Sequence, residues 1–245
     1  VDHSATIPIL SHVLIAARGE AAISVTGSNL DQEITATCAA EGAASLDGVA
    51  VPAKILTDIV RNSPDGMNIS VLGIKRGNAW SDIEIRSGRS RARIPVLPAS
   101  DFPSLDKGDL PHALSLNAAT FAKALKTVSF AAETNQQRFA YCGVHLDPVE
   151  DGLAVVASDG NRLAKRVIPL IEFDQEISGT PAITIPNAAI PSIIRMLDKQ
   201  EDVTLGISDD KIRVEAGGMV LISKLLEGTF LPYKKLAISQ TGVTV

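Results

Sequence analysis

The chain has 245 residues, enough for one large or two ordinary domains, and 45% of them are apolar, so a buried core is expected and disorder is not. Only 4% are aromatic, so this core is expected to be aliphatic. The net charge of −5 argues against tight binding of nucleic acid through bulk charge.

The sequence also bears on the compartment. No apolar run approaches the roughly 20 residues of a membrane span, and the N-terminus has no signal-peptide pattern. The two cysteines, Cys38 and Cys142, stand in apolar or small-residue strands, where a free cysteine behaves as a small hydrophobe. We therefore expect a soluble, cytoplasmic protein without a disulfide and without a membrane partner.

The first half of the chain predicts a strand-rich unit with one helix. Its expected strands are short apolar runs at 12–16, 23–26, 34–38, 49–51, 67–72, 83–86 and 91–96. In the run at 34–38, apolar residues alternate with threonines, which predicts a strand with one buried face. The helix is expected at about 53–62, entered at Pro52 and stopped before Pro64. Its apolar positions form one stripe at helical spacing: Ile55, Leu56, Ile59 and Val60.

The second half predicts the same kinds of element. Its expected strands lie at 113–116, 143–146, 153–157, 183–185, 203–207, 211–216 and 219–225. One helix is expected at 118–128, with Asn117 as its N-cap. Another is expected after Pro186, with an apolar face formed by Ile193, Ile194, Met196 and Leu197.

The expected strands and helices follow the same order in both halves of the chain, which predicts an internal repeat. The segment 155–164, V-V-A-S-D-G-N-R-L-A, has an earlier echo at 25–34, V-T-G-S-N-L-D-Q-E-I. Ser158 corresponds to Ser28, Pro186 to Pro52 and Phe230 to Phe102, all at nearly the same offset. The alternative is two unrelated α+β domains.

The repeat also predicts missing parts. The strand at 113–116 and the helix at 118–128 open the second unit, and the first unit has no counterpart of them. Residues 241–245 read as the start of a further strand. We therefore expect a chain without its first strand and helix, followed by an incomplete third unit.

No catalytic pattern is present. The four histidines, His3, His12, His112 and His145, have no metal-ligand spacing. No nucleophile elbow, phosphate-binding loop or dinucleotide fingerprint occurs. We expect a non-catalytic protein with no metal and no cofactor. An unrelated enzyme is a distant alternative that would require a compact cluster of titratable groups.

Six short segments then occur in one characteristic order. They are T-I-P-I-L at 6–10, V-P-A-K at 51–54, R-S-G-R-S-R-A-R at 86–93, L-P-A-S-D-F-P at 97–103, A-S-D-G-N-R-L-A at 157–164 and S-K-L-L-E-G-T-F at 223–230. With these segments the chain resembles the β sliding clamp family, the processivity subunits of bacterial DNA polymerase III. The resemblance covers essentially all 245 residues.

The resemblance implies an α+β DNA-clamp fold of tandem repeated domains. Each domain has two small antiparallel sheets outside and two helices inside. It assigns residues 1–110 to a first, N-terminally incomplete domain, 111–238 to a second, and 239–245 to the start of a missing third. In the family, three domains per chain and two chains close a ring.

The resemblance implies that the ring encircles double-stranded DNA topologically, in the bacterial cytoplasm. Contacts should reach the DNA backbone and be independent of sequence, because no element reads base edges. The implied DNA-contact residues are Lys54, Arg61, Lys123, Lys126, Asn135, Arg138, Phe139, Arg195 and Lys199. Ala140 stands where the family often has a second aromatic residue.

The family also docks partners in a shallow pocket that receives short linear motifs. The partners so implied are the polymerase catalytic subunit, the clamp loader and repair proteins. The matching residues here are Tyr141, Ser158, Gly160, Asn161, Arg162, Leu163, Leu231, Lys235 and Leu236. The chain departs from the family at three of them, because Asn161, Leu231 and Lys235 replace the usual His, Pro and Arg.

Two functions follow as hypotheses. The first is a sliding-clamp subunit that encloses duplex DNA. The second is a non-ring module that docks replication or repair proteins without clamping DNA. Retention on nicked circular DNA and titration with a motif peptide distinguish them.

Overall fold

The computed structural model describes residues 7–43, 47–77, 79–106 and 108–235. These residues form two compact units. The first contains the described residues up to Leu110 together with Arg213–Ser223, and the second contains Pro111–Ile212 and the described residues from Lys224 onward. The predicted domain boundaries of 1–110 and 111–238 stay a prediction.

Unit 1 is built from strands and one helix. Its strands are β1 (His12–Ala17), β2 (Ala22–Ser28), β3 (Gln32–Ala39), β4 (Val49–Pro52), β5 (Ile69–Arg76), β6 (Ala79–Ser87), β7 (Ser90–Pro95) and β8 (Leu97–Pro98). Helix α1 spans Ala53–Arg61. One sheet runs β8-β4-β1-β2-β3 and continues into β16 (Met219–Lys224) and β15 (Lys211–Ala216); the other runs β5-β6-β7.

The core of unit 1 is aliphatic, as the composition predicts. Strands of both sheets and Val96, between β7 and β8, supply its buried members: Ile15, Val49, Val51, Ile83, Ile85, Ile94 and Val96. Helix α1 adds Leu56 and Ile59, which pack against this cluster. Removing these side chains from water is the main source of stability for the unit.

Unit 2 adds two helices to its strands. The strands are β9 (His112–Asn117), β10 (Gly143–Val149), β11 (Gly152–Ser158), β12 (Leu163–Pro169), β13 (Ile183–Pro186) and β14 (Asp202–Ile207). Helix α2 spans Ala118–Val128 and α3 spans Ile190–Met196. Four strands form a sheet in the order β12-β11-β10-β13, and β9 pairs with β14. Helix α2 packs on β11, β12 and α3, with Phe121 and Leu125 fully buried.

The predicted N-cap of α2 is confirmed. The Asn117 side-chain oxygen accepts a hydrogen bond from the Thr120 backbone N–H at 3.0 Å. This bond satisfies one of the donors that a helix start leaves unpaired.

The internal repeat is confirmed in the strand order. In unit 1 the order β4-β1-β2-β3 is antiparallel throughout, and in unit 2 the order β13-β10-β11-β12 is the same. In each case a helix follows the fourth strand along the chain. The α+β class predicted from the sequence is therefore confirmed.

The prediction for the strand at 34–38 is wrong about which face is buried. Ile34 is exposed, as are Ala36 and Cys38, whereas Glu33 is 5% exposed. On the opposite face only Glu33 is buried, and its Oε2 accepts a hydrogen bond from the Leu105 backbone N–H at 2.8 Å. Cys38 therefore does not act as a core residue.

The apolar stripe predicted for α1 is too wide. Ile55 and Val60 are each 46% exposed, and only Leu56 and Ile59 of the four reach the core cluster. A helix of nine residues presents only one row at i and i+3 to a flat sheet, so the flanking positions stay in solvent.

The third helix is shorter than predicted. It ends at Met196, and Lys199 lies beyond it in a turn with φ of 63°. A left-handed residue cannot continue a right-handed helix. Cys142 also lies outside a strand, because its N–H bonds to Phe139 O in the turn that precedes β10.

Candidate functional site

The turn between β11 and β12 is closed by its own side chains. Ser158 Oγ accepts a hydrogen bond from Gly160 N at 3.1 Å and donates one to Arg162 O at 2.7 Å. Asp159 Oδ1 accepts from the N–H groups of Asn161 and Arg162, both at 2.9 Å. These backbone donors, first Arg162 and then Asn161, hold the pKa of the Asp159 carboxyl below its usual range.

The position of Gly160 in this turn favours glycine. Its φ is +89°, in the left-handed region that other residues avoid. A Cβ placed there would lie 3.1 Å from an Arg138 guanidinium nitrogen. Asn161 and Arg162 are exposed at the tip, and Arg162 Nε forms an ion pair with Asp159 Oδ2 at 3.0 Å.

An apolar wall lies beside the turn, and three of the predicted peptide-binding residues meet in it. Tyr141, Leu163 and Leu231 are half-buried and pack on a cluster formed by Ala154, Val156, Phe230 and Tyr233. The Tyr141 and Phe230 rings meet edge to face with centroids 5.8 Å apart. The half-buried side chains leave part of their apolar surface available to a ligand.

A buried carboxylate anchors the segment that carries Leu231. Tyr233 donates its hydroxyl to Asp147 Oδ2 at 2.7 Å, and Lys234 Nζ lies 2.7 Å from the same oxygen. Burial by itself would raise the pKa of Asp147, but the hydrogen bonds from Lys234 and Tyr233 outweigh it and hold the pKa below its usual range. Two causes raise the pKa of Tyr233: burial is the larger, and the hydrogen bond to Asp147 is the second.

His145 supports the same segment from β10. Its ring stacks on Phe230 with centroids 4.4 Å apart, and its Nδ1 lies 3.0 Å from Thr184 Oγ1. Burial lowers the pKa of His145. The imidazole is therefore a neutral packing group at physiological pH.

The remaining predicted pocket residues fall at the edge of the described chain. Lys235 ends a short 3-10 turn, Tyr233–Lys235, and is exposed. Leu236 lies outside the described residues.

Sequence reasoning missed Asp147, Phe230 and Tyr233 as parts of the site. The only local signal was an acidic residue within the otherwise apolar strand β10. Its partner stands 86 residues away, so the pairing has no signature in the sequence.

The predicted DNA-contact residues are distributed over both units. In unit 1, Lys54 and Arg61 are exposed on α1. In unit 2, Lys123 and Lys126 are exposed on α2, Arg195 is exposed on α3, and Lys199 lies in the turn after it.

The other three predicted DNA-contact residues lie together in the segment before β10. Asn135 caps the 3-10 segment Gln136–Tyr141 by accepting from Gln137 N at 3.0 Å. Arg138 donates to Asp159 O at 2.8 Å and lies 3.7 Å from Glu133 Oε2. Phe139 is 53% exposed. Arg138 thus connects this segment to the turn at 158–162.

The described residues contain no group of three or more His, Cys, Asp or Glu placed to hold a metal ion. Across the same part of the chain, no helix is long and apolar enough to cross a membrane.

Comparison with known proteins gives one consistent result. Residues 1–106 match the family model for the DNA polymerase III beta subunit, N-terminal domain, and residues 115–232 match that for its central domain. The beta sliding clamp of Caulobacter vibrioides is 32% identical in an alignment of 244 positions that covers 96% of this chain and 63% of the relative. The chain therefore spans just under two thirds of the length of the curated relatives it matches.

Solved structures agree with the sequence relatives. The DNA polymerase III subunit beta of Bartonella birtlesii, bound to griselimycin, superposes with a TM-score of 0.84 at 31% identity, covering 96% of this chain and 62% of that one. The Pseudomonas aeruginosa subunit superposes with a TM-score of 0.86 at 28% identity, covering 98% and 63%. The fold is the α+β DNA-clamp fold, and the chain belongs to the DNA polymerase III beta subunit family, the beta sliding clamps.

Proposed function

We propose that this chain works as part of a sliding clamp, a non-catalytic ring that encloses duplex DNA and docks replication proteins. The observation that carries the proposal is the match of both units, in sequence and in fold, to the N-terminal and central domains of the family. We place the activity in the bacterial cytoplasm and expect two copies of the complete subunit to close the ring.

Enclosure explains how an acidic protein can stay on DNA. With a net charge of −5, the chain has little bulk attraction for phosphate. The exposed cations of α1, α2 and α3 provide local positive potential without any side chain arranged to read bases. We propose that contacts from these helices to the DNA backbone are weak and independent of sequence.

Topological retention is the direct test of clamping. The protein is loaded by a bacterial clamp loader onto nicked circular DNA and followed by gel filtration. We expect it to co-elute with the circle and to be lost after the circle is linearised, because a ring slides off a free end. Equal retention on both forms would contradict enclosure.

The docking part of the proposal rests on the apolar wall beside the turn at 158–162. Tyr141, Leu163 and Leu231 present half-buried surface on a rigid cluster. Two apolar anchors buried there contribute roughly 1.5–3 kcal/mol each, less the cost of ordering the peptide. The binding of griselimycin by the Bartonella birtlesii clamp supports a ligand site on this fold. We expect weak, exchangeable binding of short motifs that end in Leu and Phe.

A peptide titration tests this part separately. A labelled Gln-Leu-x-Leu-Phe peptide should bind the wild-type protein, and Leu163→Ala should weaken binding about tenfold through lost apolar contact. Leu97→Ala is the matched control, since Leu97 is 37% exposed and belongs to unit 1, whereas the proposed site is formed by residues of unit 2. Equal affinity in all three proteins would exclude the wall as the docking site. No observation favours the non-ring docking module.

A further inference from the structure

A concave surface opens in unit 2, and none of the wall residues Tyr141, Leu163 and Leu231 lines it. It is a cavity of about 730 Å³ lined by the end of α2, the turn that follows it and α3. Ile190 and Ile194 give it an apolar side, and Lys126, Arg162 and Arg195 give it a cationic one. Its size falls within the usual range for ligand pockets.

The charge of the cavity is unusual for this protein. Three cations line it and no carboxylate does, in a chain whose net charge is −5. Arg162 is paired with Asp159, but within the described residues neither Lys126 nor Arg195 forms an ion pair. A concentration of unpaired positive charge in a concave surface attracts an anion.

An aromatic side chain stands at the same place. Phe130 lines the cavity and is 64% exposed. It belongs to the short turn Ser129–Ala131. Ala131 and the preceding Val128 are buried, so the backbone that presents the ring is fixed. The Arg162 guanidinium carbon lies 5.7 Å from the ring centroid. An exposed ring among cations is the combination on which unpaired bases stack.

We propose that this cavity binds single-stranded DNA, with one base stacked on Phe130 and the flanking phosphates on Lys126, Arg162 and Arg195. The proposal extends the proposed function, since a clamp held on DNA brings this surface to its ligand. Duplex bases are stacked on their neighbours and offer no free face, so only an unpaired strand can use Phe130. Stacking on the ring and contacts to phosphates do not depend on the identity of the base, so binding should be largely independent of sequence.

Fluorescence anisotropy with a labelled oligothymidylate tests the proposal on the 245-residue chain. Phe130→Ala should weaken binding about fivefold to one-hundredfold, because stacking on the ring is lost. Phe130→Leu should weaken it comparably, since it keeps apolar surface without an aromatic face, and Phe130→Trp should preserve affinity. Ile171→Ala is the matched control, because Ile171 is 90% exposed and lies outside the cavity.

Salt dependence tests the phosphate contacts independently of the ring. Three phosphates on three cations predict a slope of log affinity against log salt of about −2 for a single strand. Arg195→Gln should reduce the magnitude of that slope by roughly 0.7. An unchanged slope would show that Arg195 contacts no phosphate and would overturn that part of the proposal.

Three results would overturn the base-stacking claim. They are equal affinity of the Phe130 variants and wild type, equal affinity for an abasic strand of the same length, and displacement of the strand by an acidic phenylalanine-containing peptide at lower concentration. Circle retention separates this proposal from clamping, because Phe130 is outside the duplex-contact set. Loss of single-strand binding in Phe130→Ala with retention intact supports both proposals. If Phe130→Ala loses single-strand binding but neither the wild type nor any variant is retained on the circle, the results support only the proposal for the cavity.

Discussion

The turn at 28–32 in unit 1 and the turn at 158–162 in unit 2 have equivalent hydrogen bonds from backbone N–H groups to side-chain oxygens. The side chains that they expose differ. In unit 1, Ser28 Oγ accepts from Leu30 N at 3.3 Å, and Asn29 Oδ1 accepts from Asp31 N at 3.1 Å and Gln32 N at 2.7 Å. Ser158 and Asp159 make the equivalent three bonds in unit 2. A serine followed by Asn or Asp is enough to set this turn.

The third residue of each turn has a positive φ, but only one copy meets it without strain. Gly160 has φ of 89° and Leu30 has φ of 74°. A leucine in the left-handed region costs roughly 1–2 kcal/mol that a glycine does not. The backbone of the repeat therefore persists in unit 1 despite a poorly suited residue.

The strands that follow the two turns differ in their pairing among the described residues. Strand β3 pairs with β2 on one side and with β16 on the other. Among the described strands, β12 pairs with β11 and lies at the edge of its sheet.

The buried carboxylates of the two units also differ. Burial raises the pKa of Glu33, which accepts one backbone bond and lies near Asp106. Asp147, in contrast, has two charged or hydroxyl donors that lower its pKa against the effect of burial. At neutral pH, ionised Glu33 thus destabilises unit 1, whereas ionised Asp147 stabilises unit 2.

The largest expected effect is the loss of the Asp147 anchor. Asp147→Asn should lower the free energy of unfolding of unit 2 by about 2 kcal/mol, the value of hydrogen bonds to a charged group. It should also weaken peptide binding, because the segment with Leu231 is released. Glu33→Gln, the matched change in unit 1, should not destabilise its unit at pH 7. Equal losses from both changes, measured by denaturant unfolding, would remove the contrast between the two carboxylates.

The pH dependence gives these two variants opposite trends. The folded-state pKa of Asp147 is lowered, so its contribution is present above the unfolded pKa and is lost as pH falls through the folded pKa. Wild type and Asp147→Asn should therefore converge towards acid pH.

For Glu33 the sign is reversed. Its folded-state pKa is raised, so the stability it provides is present below the unfolded pKa and is lost as pH rises through the folded pKa. Glu33→Gln should be more stable than wild type at pH 7, and the difference should disappear on acidification. Unfolding titrations between pH 3 and 8 measure both trends, and parallel curves for wild type and variant would contradict them.

A smaller effect is expected from the turn acceptors. Asp159→Ala and Asn29→Ala each remove one side-chain oxygen that accepts two backbone bonds. Each should lower the unfolding temperature of its own unit by roughly 4 °C, as loss of a cap does. Only Asp159→Ala should also weaken binding of the motif peptide. A loss of peptide binding in Asn29→Ala would show that the two turns are not functionally distinct.

The smallest effects are expected from substitutions at the third position of each turn, where φ is positive. Gly160→Ala should cost about 1 kcal/mol through the left-handed backbone and the approach to Arg138. Leu30→Asn should stabilise unit 1 by about 0.5 kcal/mol, since Asn tolerates this conformation. Thermal unfolding measures both changes, and a destabilised Leu30→Asn would mean that the buried part of the leucine outweighs its strain.

Much of the fold was predictable because its signals are local. The run of strands, the helix at 118–128 with its Asn117 cap, and the Ser-Asx turns all depend on bonds between residues two to four apart. The clamp fold, in contrast, was predicted from the resemblance of six segments to the family. The burial of Glu33 was not predictable, since its hydrogen-bond partner Leu105 stands 72 residues away.

By itself, the sequence of this protein determined the repeat and the class of each element, because periodicity and turn chemistry act over a few residues, and six of its segments carried the resemblance to the family. Only the tertiary structure decided which face of β3 is buried, how Asp147 anchors the wall, and how Phe130 and Arg162 come to share a cavity with Arg195. The physical reason is that burial and pairing depend on residues brought together from distant parts of the chain, and no local pattern records which ones meet.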